Sequence, residues 1–499
     1  MDIIKVKKKN HAFLHVDCEP SVANELCDFF TFYVPGYKFM PAYKNKFWDG
    51  KIRLYDTRKK ELYAGLYKYL EEFASVEGRN YTIEVEHNNF YGLPNSQQPI
   101  DMSYMNDLNL TVKGDKIEPR DYQLEAIHHG LSERKGLLVS PTASGKSLII
   151  YSLLRYFLQN SDKKAIIIVP TTSLVEQMYS DFADYSEFDN DFDTQKMCHK
   201  IYAGREKITT QRVIITTWQS IYKLPGSWFK DFGFVVGDEA HNFKAKSLTS
   251  ILTKLVEAEY RFGTTGTLDG TQTHKLVLEG LFGPAYYVTT TKQLMDKGSL
   301  ADLDIDVVLM KYDDEICRAM SKATYQDEID YIVRYEKRNK FITNLALDQD
   351  GNTLVLFQYV EKHGKPLFNM ISESAHKRRK IFYVSGETGT DVREDVRRIT
   401  ENEKNAIIVA SLGTFSTGVN IRNLHNIIFA SPSKSQIKIL QSIGRGLRKS
   451  DDGRATKLYD IADDLHWKSR KNFTLNHAAE RIKIYSKEKF KFKIHEIRI

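Results

Sequence analysis

The residues best placed to do chemistry on a phosphate run Ser140-Pro141-Thr142-Ala143-Ser144-Gly145-Lys146-Ser147. Small side chains there let backbone N–H groups close around a triphosphate at the positive end of a following helix. Lys146 can then reach the β- and γ-phosphates and the Ser147 hydroxyl can hold Mg²⁺, so ATP and Mg²⁺ are the expected ligands. Ser140 departs from the glycine usual at the start of this pattern. Further on, Asp238-Glu239-Ala240-His241 closes an apolar run. Asp238 is suited to Mg²⁺, usually through a water, and Glu239 to orienting and deprotonating an attacking water. His241 could relay the state of the γ-phosphate to a neighbouring segment. Alone, this tetrapeptide reads equally as a solvated helix start; behind a strand and a phosphate loop it reads as a hydrolytic pair.

Such groups need a scaffold of strands ending at one edge. Gly136 to Val139 is strand-like and Leu148 to Leu158 helix-like, the setting a phosphate loop requires. The apolar runs Ala165–Val169, Val213–Thr216 and Phe234–Gly237 suit the centre of a parallel sheet covered on both faces. The alternation restarts with Thr353–Phe357, Lys380–Val384, Ala406–Ala410 and Asn426–Ala430. The economical reading is α/β: two tandem doubly wound parallel-sheet domains, 101–288 and 289–465, with a hinge over Thr289 to Leu303. Residues 1–100 read as a small basic α+β unit. Its expected elements are a strand over Ala12–Val16, a helix capped by Ser21 and running through Phe30, a strand over Lys51–Tyr55, a helix over Ala64–Phe73 and a strand over Tyr81–Val85. Gly92 to Pro99 reads as its linker.

Charge adds a second theme. The net charge is +7, and residues 466–499 read as a basic C-terminal tail carrying ten Lys+Arg against three Asp+Glu. A second excess lies between Lys38 and Lys60 and is interleaved with Tyr37, Phe39, Tyr43, Phe47, Trp48 and Tyr55. Lysines that neutralise phosphates beside rings that stack on bases make a nucleic-acid surface, with Lys44, Lys46, Trp48, Lys51 and Arg53 as its candidate contacts. The alternative for either patch is a solvated basic face. Cys18, Cys27, Cys198 and Cys317 form no metal-ligand pattern and read as reduced thiols. No stretch is long and apolar enough to span a membrane, and the start lacks a signal peptide's apolar core.

With these motifs in place, the chain resembles the superfamily 2 helicases over 117–462. Arg120-Asp121-Tyr122-Gln123 resembles the adenine-reading element, Arg120 and Gln123 being its contacts. Val169 to Gln177, with Thr171 and Thr172, and Thr216 to Ser220, with Thr217 and Gln219, resemble the motifs that hold a nucleic-acid backbone. Thr264-Thr265-Gly266-Thr267 resembles the motif that couples hydrolysis to strand movement. Ser411 to Asn420 resembles a further motif, which implies Gly418 at the nucleotide and Thr414 and Thr417 on the strand; Asn420 stands where many members carry Asp. Gln441-Ser442-Ile443-Gly444-Arg445-Gly446-Leu447-Arg448 resembles the motif of the arginine fingers, implying catalytic roles for Gln441, Arg445 and Arg448. Surface arginines on an amphipathic helix are the other reading of that pair.

The resemblance implies two RecA-like motor domains driven by ATP and Mg²⁺. Within the superfamily, the basic aromatic N-terminal unit and compact motor are similar to recombination helicases of T-even bacteriophages. That similarity implies remodelling of branched DNA: Holliday junction migration, fork regression and unwinding of RNA–DNA loops in the host cytoplasm. Branched and single-stranded DNA and RNA–DNA hybrids are then the expected partners. The expected state is a monomer, with recombination or single-strand-binding proteins as candidate associates. The alternatives are an RNA helicase, a duplex DNA translocase, or a binding protein with an idle nucleotide site.

Overall fold

The computed structural model describes residues 2–34, 36–86, 100–141, 144–202, 204–242, 246–266, 268, 272–298, 300–375, 379–386, 388, 396, 399, 402–417, 423–431, 443 and 453–499. Two compact units divide the chain: Met1–Ser140 with Gly145–Val288, and Pro141–Ser144 with Thr289–Ile499.

The first unit opens with β1 (Asp2–Lys8) and β2 (Phe13–Asp17), an antiparallel pair that turns Ile4, Val6, Leu14 and Val16 inward by strict alternation. Helix α1 (Pro20–Phe29) follows. Ser21 was the expected cap, but Glu19 holds that position and Pro20 fills the first turn, where its missing N–H leaves nothing unsatisfied. The strand expected over Lys51–Tyr55 is broken in two. β3 (Thr31–Tyr33) pairs with β4 (Lys51–Arg53) as a separate ribbon, and β5 (Tyr55–Asp56) joins β6 (Glu61–Tyr63). Helix α2 (Tyr67–Ala74) buries Tyr67, Leu70 and Phe73 along one face. β7 (Tyr81–Val85) completes a five-stranded sheet in the order β5-β6-β2-β1-β7.

The same unit contains the first all-parallel sheet. Its strands are β8 (Lys135–Val139), β9 (Lys164–Val169), β10 (Cys198–Ile201), β11 (Val213–Thr217), β12 (Phe232–Gly237), β13 (Tyr260–Thr265) and β14 (Ala285–Tyr287). They lie in the order β10-β11-β9-β12-β13-β8-β14. β8, β11, β12 and β13 are buried at every position, which is why Gly136–Val139, Val213–Thr216 and Phe234–Gly237 within them read as apolar rather than alternating. The N-terminal sheet is docked directly on this domain. The buried Lys135 ammonium donates to the His11 carbonyl at 2.9 Å, and the His11 N–H donates to Val256 O at 3.1 Å. The Tyr69 hydroxyl donates to Glu279 at 2.5 Å. Gly65 and Gly280 let the two backbones meet: a methyl on Gly65 would lie 2.9 Å from the Glu279 carbonyl carbon, and one on Gly280 would lie 3.0 Å from Tyr63 Cβ. One hydrophobic core runs through both parts. The linker expected at Gly92 to Pro99 lies outside the described residues.

In the second unit the expected hinge contains a helical turn (Thr291–Asp296) capped by Thr290 and Gln293. The second all-parallel sheet comprises β15 (Leu303–Lys311), β16 (Thr353–Phe357), β17 (Ile381–Val384), β18 (Ile407–Ser411), β19 (Asn426–Phe429), β20 (Thr456–Asp464) and β21 (Phe492–Arg498). Their order is β17-β18-β16-β19-β20-β15-β21. The last strand corrects the reading of 466–499 as a basic tail. A helix over Phe473–Lys487 packs on the sheet and β21 pairs with β15 along its length. Arg481, which contributes to the charge excess, is buried with both Asp460 oxygens at 2.8–2.9 Å from its Nε. A charge count cannot distinguish a solvated cation from one sunk beside a carboxylate. Arg338 forms a similar buried pair with Asp463 at 2.7 and 3.0 Å. Among the described residues, no helix is long and apolar enough to cross a membrane.

Candidate nucleotide and strand-binding site

β8 ends at Val139, and helix α4 (Lys146–Asn160) begins where a phosphate would need it. Gly145 between them has φ +79°, and a Cβ there would overlap the side-chain amide nitrogen of Gln123. Glycine is therefore required for both its conformation and its close contact. Lys146 Nζ donates to Ser140 O at 3.2 Å, and the Ser147 hydroxyl is 2.9 Å from the Tyr185 hydroxyl. Thr142 and Ala143 lie outside the described residues.

Gln123 sits in the first turn of α3 (Asp121–Glu133), with its carbonyl oxygen accepting the Arg120 N–H at 2.8 Å. The Arg120 guanidinium donates to the Tyr122 hydroxyl at 2.8 Å. Expected at an adenine edge, Gln123 here is buried against the phosphate loop itself.

The acidic segment follows β12. Asp238 donates its N–H to Ile168 O at 2.9 Å, which continues the strand pairing, and its carboxylate accepts the Thr264 hydroxyl at 2.6 Å. Burial, reinforced by the Glu239 charge, holds this carboxyl above the usual range; Lys146 and the Thr264 hydroxyl pull the other way. Glu239 has φ +53°, a left-handed conformation that costs a non-glycine residue about 1–3 kcal/mol. Strain of that kind persists only where the surrounding structure over-determines the conformation. His241 Nδ1 lies 3.4 Å from a Glu239 oxygen and 3.2 Å from the Thr265 hydroxyl. Two consecutive threonines of β13 thus each hold one side chain of the acidic segment. Thr267 is outside the described residues.

The residues fit the ligands. A helix start, a lysine, a hydroxyl and a buried carboxylate lie on neighbouring loops, and Mg²⁺ is ordinarily held by one or two carboxylates plus substrate phosphates. The burdened Asp238 carboxylate is a group that such a cation would relieve.

A cleft of about 590 Å³ opens on the same domain. Thr171 and Thr172 line it from the start of α5 (Thr172–Tyr185), and Thr217, Gln219 and Ser220 from the end of β11. Thr171 caps α5 by accepting the Leu174 N–H at 3.4 Å, and the Gln219 amide reaches Pro170 O at 3.5 Å. The two motifs expected to hold a backbone are therefore one surface. Tyr202, Arg205 and Lys207 complete it, and the sequence reading missed them. Arg205 stacks over Tyr202 at 4.6 Å, and the Trp228 indole donates to Lys207 O at 3.1 Å. The available signal was two cations beside a tyrosine just ahead of an apolar strand.

Other expected residues stand differently. Thr414 is buried, its hydroxyl accepting that of Ser411 at 2.7 Å, so it closes a turn rather than facing a strand. Lys44 and Lys46 are exposed, and Trp48 and Lys51 are half-buried. Lys51 lies over the Tyr33 ring at 5.0 Å, and Arg53 pairs with Asp49 at 2.5 Å. Gly418, Gln441, Arg445, Arg448 and the Thr417 side chain lie outside the described residues.

Comparison with known proteins agrees with this geometry. A family described as "DNA helicase UvsW, N-terminal" matches residues 2–86. "Type III restriction enzyme, res subunit" matches 116–270, and "Helicase conserved C-terminal domain" matches 336–450. The chain is similar to the ATP-dependent DNA helicase UvsW of Enterobacteria phage T4, at 36% identity over 98% of each chain. It is also similar to the DNA 3'-5' translocase XPB2 of Sulfurisphaera tokodaii, at 23% identity over 70% of this chain and 83% of the relative. A crystal structure of T4 UvsW aligns over 100% of both chains with a TM-score of 0.52 and 34% identity. A motor with this site, this tandem sheet pair and this N-terminal unit belongs to the UvsW family of superfamily 2 helicases.

Proposed function

We propose that the protein is an ATP-dependent DNA helicase that remodels branched DNA, by Holliday junction migration, fork regression and unwinding of RNA–DNA loops. The observation that carries this reading is the pairing of Asp238 with Thr264 and of His241 with Thr265, on the same domain as a cleft lined by threonines, Arg205 and Lys207. In this reading, hydrolysis and strand holding share one sheet. Its similarity to a relative named as a DNA helicase directs the reading to DNA.

In the mechanism, Lys146 and the N–H groups at the start of α4 hold the triphosphate. Asp238 and Ser147 would hold Mg²⁺, which would supply charge neutralisation at the phosphoryl group. Glu239 takes a proton from the attacking water. His241 passes the change at Glu239 to Thr265, and so to the strand-holding loops. The helicase resemblance gives Arg445 and Arg448 catalytic roles, and a guanidinium at a transferring phosphoryl group is worth roughly 10³–10⁵ in rate. Thr171 and Thr172 contact the backbone without reading sequence.

The test is the ATPase rate with single-stranded DNA, single-stranded RNA, linear duplex, a fork and a four-way junction. Strongest stimulation by branched or single-stranded DNA supports the proposal. A preference for RNA or for unbranched duplex overturns it. Glu239→Gln is the control and should lose about 10²–10⁴ in rate, the usual contribution of a general base.

A further inference from the structure

The ribbon of β3 and β4 carries a lobe, residues 34–50, whose use neither the motor chemistry nor a simple basic patch explains. Phe39 and Phe47 at this lobe are 81% and 86% exposed, more than any other large apolar side chain among the described residues. They stand on a built platform. Val34 N–H donates to Gly50 O at 2.9 Å and closes the base of the lobe. Tyr37 stacks on Tyr33 and meets Tyr43 edge-on, with both centroid distances 4.7 Å. Gly50, at φ +80°, passes so close beneath Tyr37 that a Cβ there would lie 2.8 Å from the ring's Cγ. The Phe47 N–H is held by Ala42 O at 2.9 Å, and the Trp48 indole donates to Lys51 O at 2.9 Å. Beside these rings lies a cleft of about 580 Å³ lined by Tyr43, Phe47, Trp48, Lys38, Lys44 and Lys46. Its one carboxylate, Asp49, is engaged with Arg53.

We propose that this lobe is a stacking site for unpaired nucleobases at a branch point, with Phe39 and Phe47 as the stacking rings and Lys38, Lys44 and Lys46 on the flanking phosphates. This deepens the reading of the protein as a branched-DNA helicase and rests on it. A duplex arm offers phosphates outward, and lysines alone satisfy those; a phenyl ring held in water gains nothing from a phosphate. An unstacked base has a π-face that any aromatic ring can cover, whatever the sequence. Bases are unstacked where strands part, and lysines around the rings match the phosphates on either side.

The experiment uses the full chain and a four-way junction carrying 2-aminopurine either at the branch or within an arm, together with a blunt linear duplex. Phe39→Ala/Phe47→Ala is compared with Phe39→Tyr/Phe47→Tyr, and thermal unfolding confirms that both fold. The parent should change the fluorescence of the branch probe but not of the arm probe. The alanine pair should lose that change and at least about fivefold in junction affinity, the low end for loss of one stacked base. Its duplex affinity should hold, and the tyrosine pair should restore the signal. An alanine pair with unchanged junction affinity and probe signal overturns the proposal and marks the rings as a docking point for a protein. Equal losses on junction and duplex also overturn it. A parent that binds no junction would overturn the underlying function as well, which keeps the two failures distinguishable.

Discussion

Substituting Gly65 by alanine tests whether the N-terminal unit and the first motor domain form one body. The added methyl would sit 2.9 Å from the Glu279 carbonyl carbon and 3.0 Å from the Gly280 carbonyl oxygen. Carbon–carbon contacts settle at about 3.5–4.0 Å, so the two backbones must part by about 1 Å, and a gap of that size forfeits up to about half of each contact's attraction. No rotamer relieves the clash, because both obstructing groups are main chain. The expected destabilisation is about 3 kcal/mol, the upper end for an overpacked site. Gly226→Ala is the control, since nothing lies within 4 Å of a methyl there and its φ is not in the left-handed range; it should change stability by less than about 0.5 kcal/mol. Thermal unfolding followed by circular dichroism, with limited proteolysis of the N-terminal sheet, measures both. If Gly65→Ala melts with Gly226→Ala and resists protease equally, the close approach is wrong. The same packing makes deletion of residues 1–100 an unsuitable probe of DNA binding, because it would strip the first domain's core and take His11 O from the buried Lys135.

Three further outcomes are expected. His11, held down to about 3 chiefly by burial and then by Lys8 and Lys135, stays neutral in the fold while the unfolded chain takes up a proton below pH 6.5. Stability is therefore lost as pH falls from about 6.5 towards 3, and His11→Asn should flatten that part of the parent's thermal-midpoint profile. Asp238 has the opposite sign: its raised folded value means stability is lost as pH rises past the ordinary carboxylate range. Asp238→Asn should melt above the parent at pH 7.5 without nucleotide and lose both ATPase and stabilisation by Mg²⁺-ATP; a lower midpoint refutes the burial argument. Arg205→Ala and Lys207→Ala should each reduce the salt dependence of single-strand binding by about 0.7 in log–log slope, as loss of one phosphate contact does. Unchanged slopes would remove both residues from the strand surface.

The sequence disclosed the parts of the fold that repeat a simple physical pattern. Strands buried on both faces appear as runs such as Thr353–Phe357, matched residue for residue by β16. The positions of the phosphate loop and the acidic segment were legible because both follow apolar strands. Hidden were features that depend on which side of a sheet a charge falls. Phe492 to Arg498 carries lysine, histidine, glutamate and arginine because it is an edge strand exposed along most of its length, and so it resembled a tail. Arg338, Arg481 and Lys135 are cations whose burial the sequence does not reveal: each is sunk against a partner from another segment. Tyr202, Arg205 and Lys207 belong to no motif, and only the fold brings them beside Thr171 and Thr217.

The place of β15 carries a consequence for how the second domain assembles. Its two neighbours, β20 and β21, both arrive more than 150 residues later in the chain. Until they do, an apolar strand with both hydrogen-bonding edges open waits in the growing polypeptide, the arrangement most prone to pairing with another molecule. Contacts of such long sequence separation also slow folding. Fragments that stop before β21 should accumulate as aggregates even when every motor motif is present, so a charged strand at the sheet's edge is also the one that keeps the domain from associating with itself.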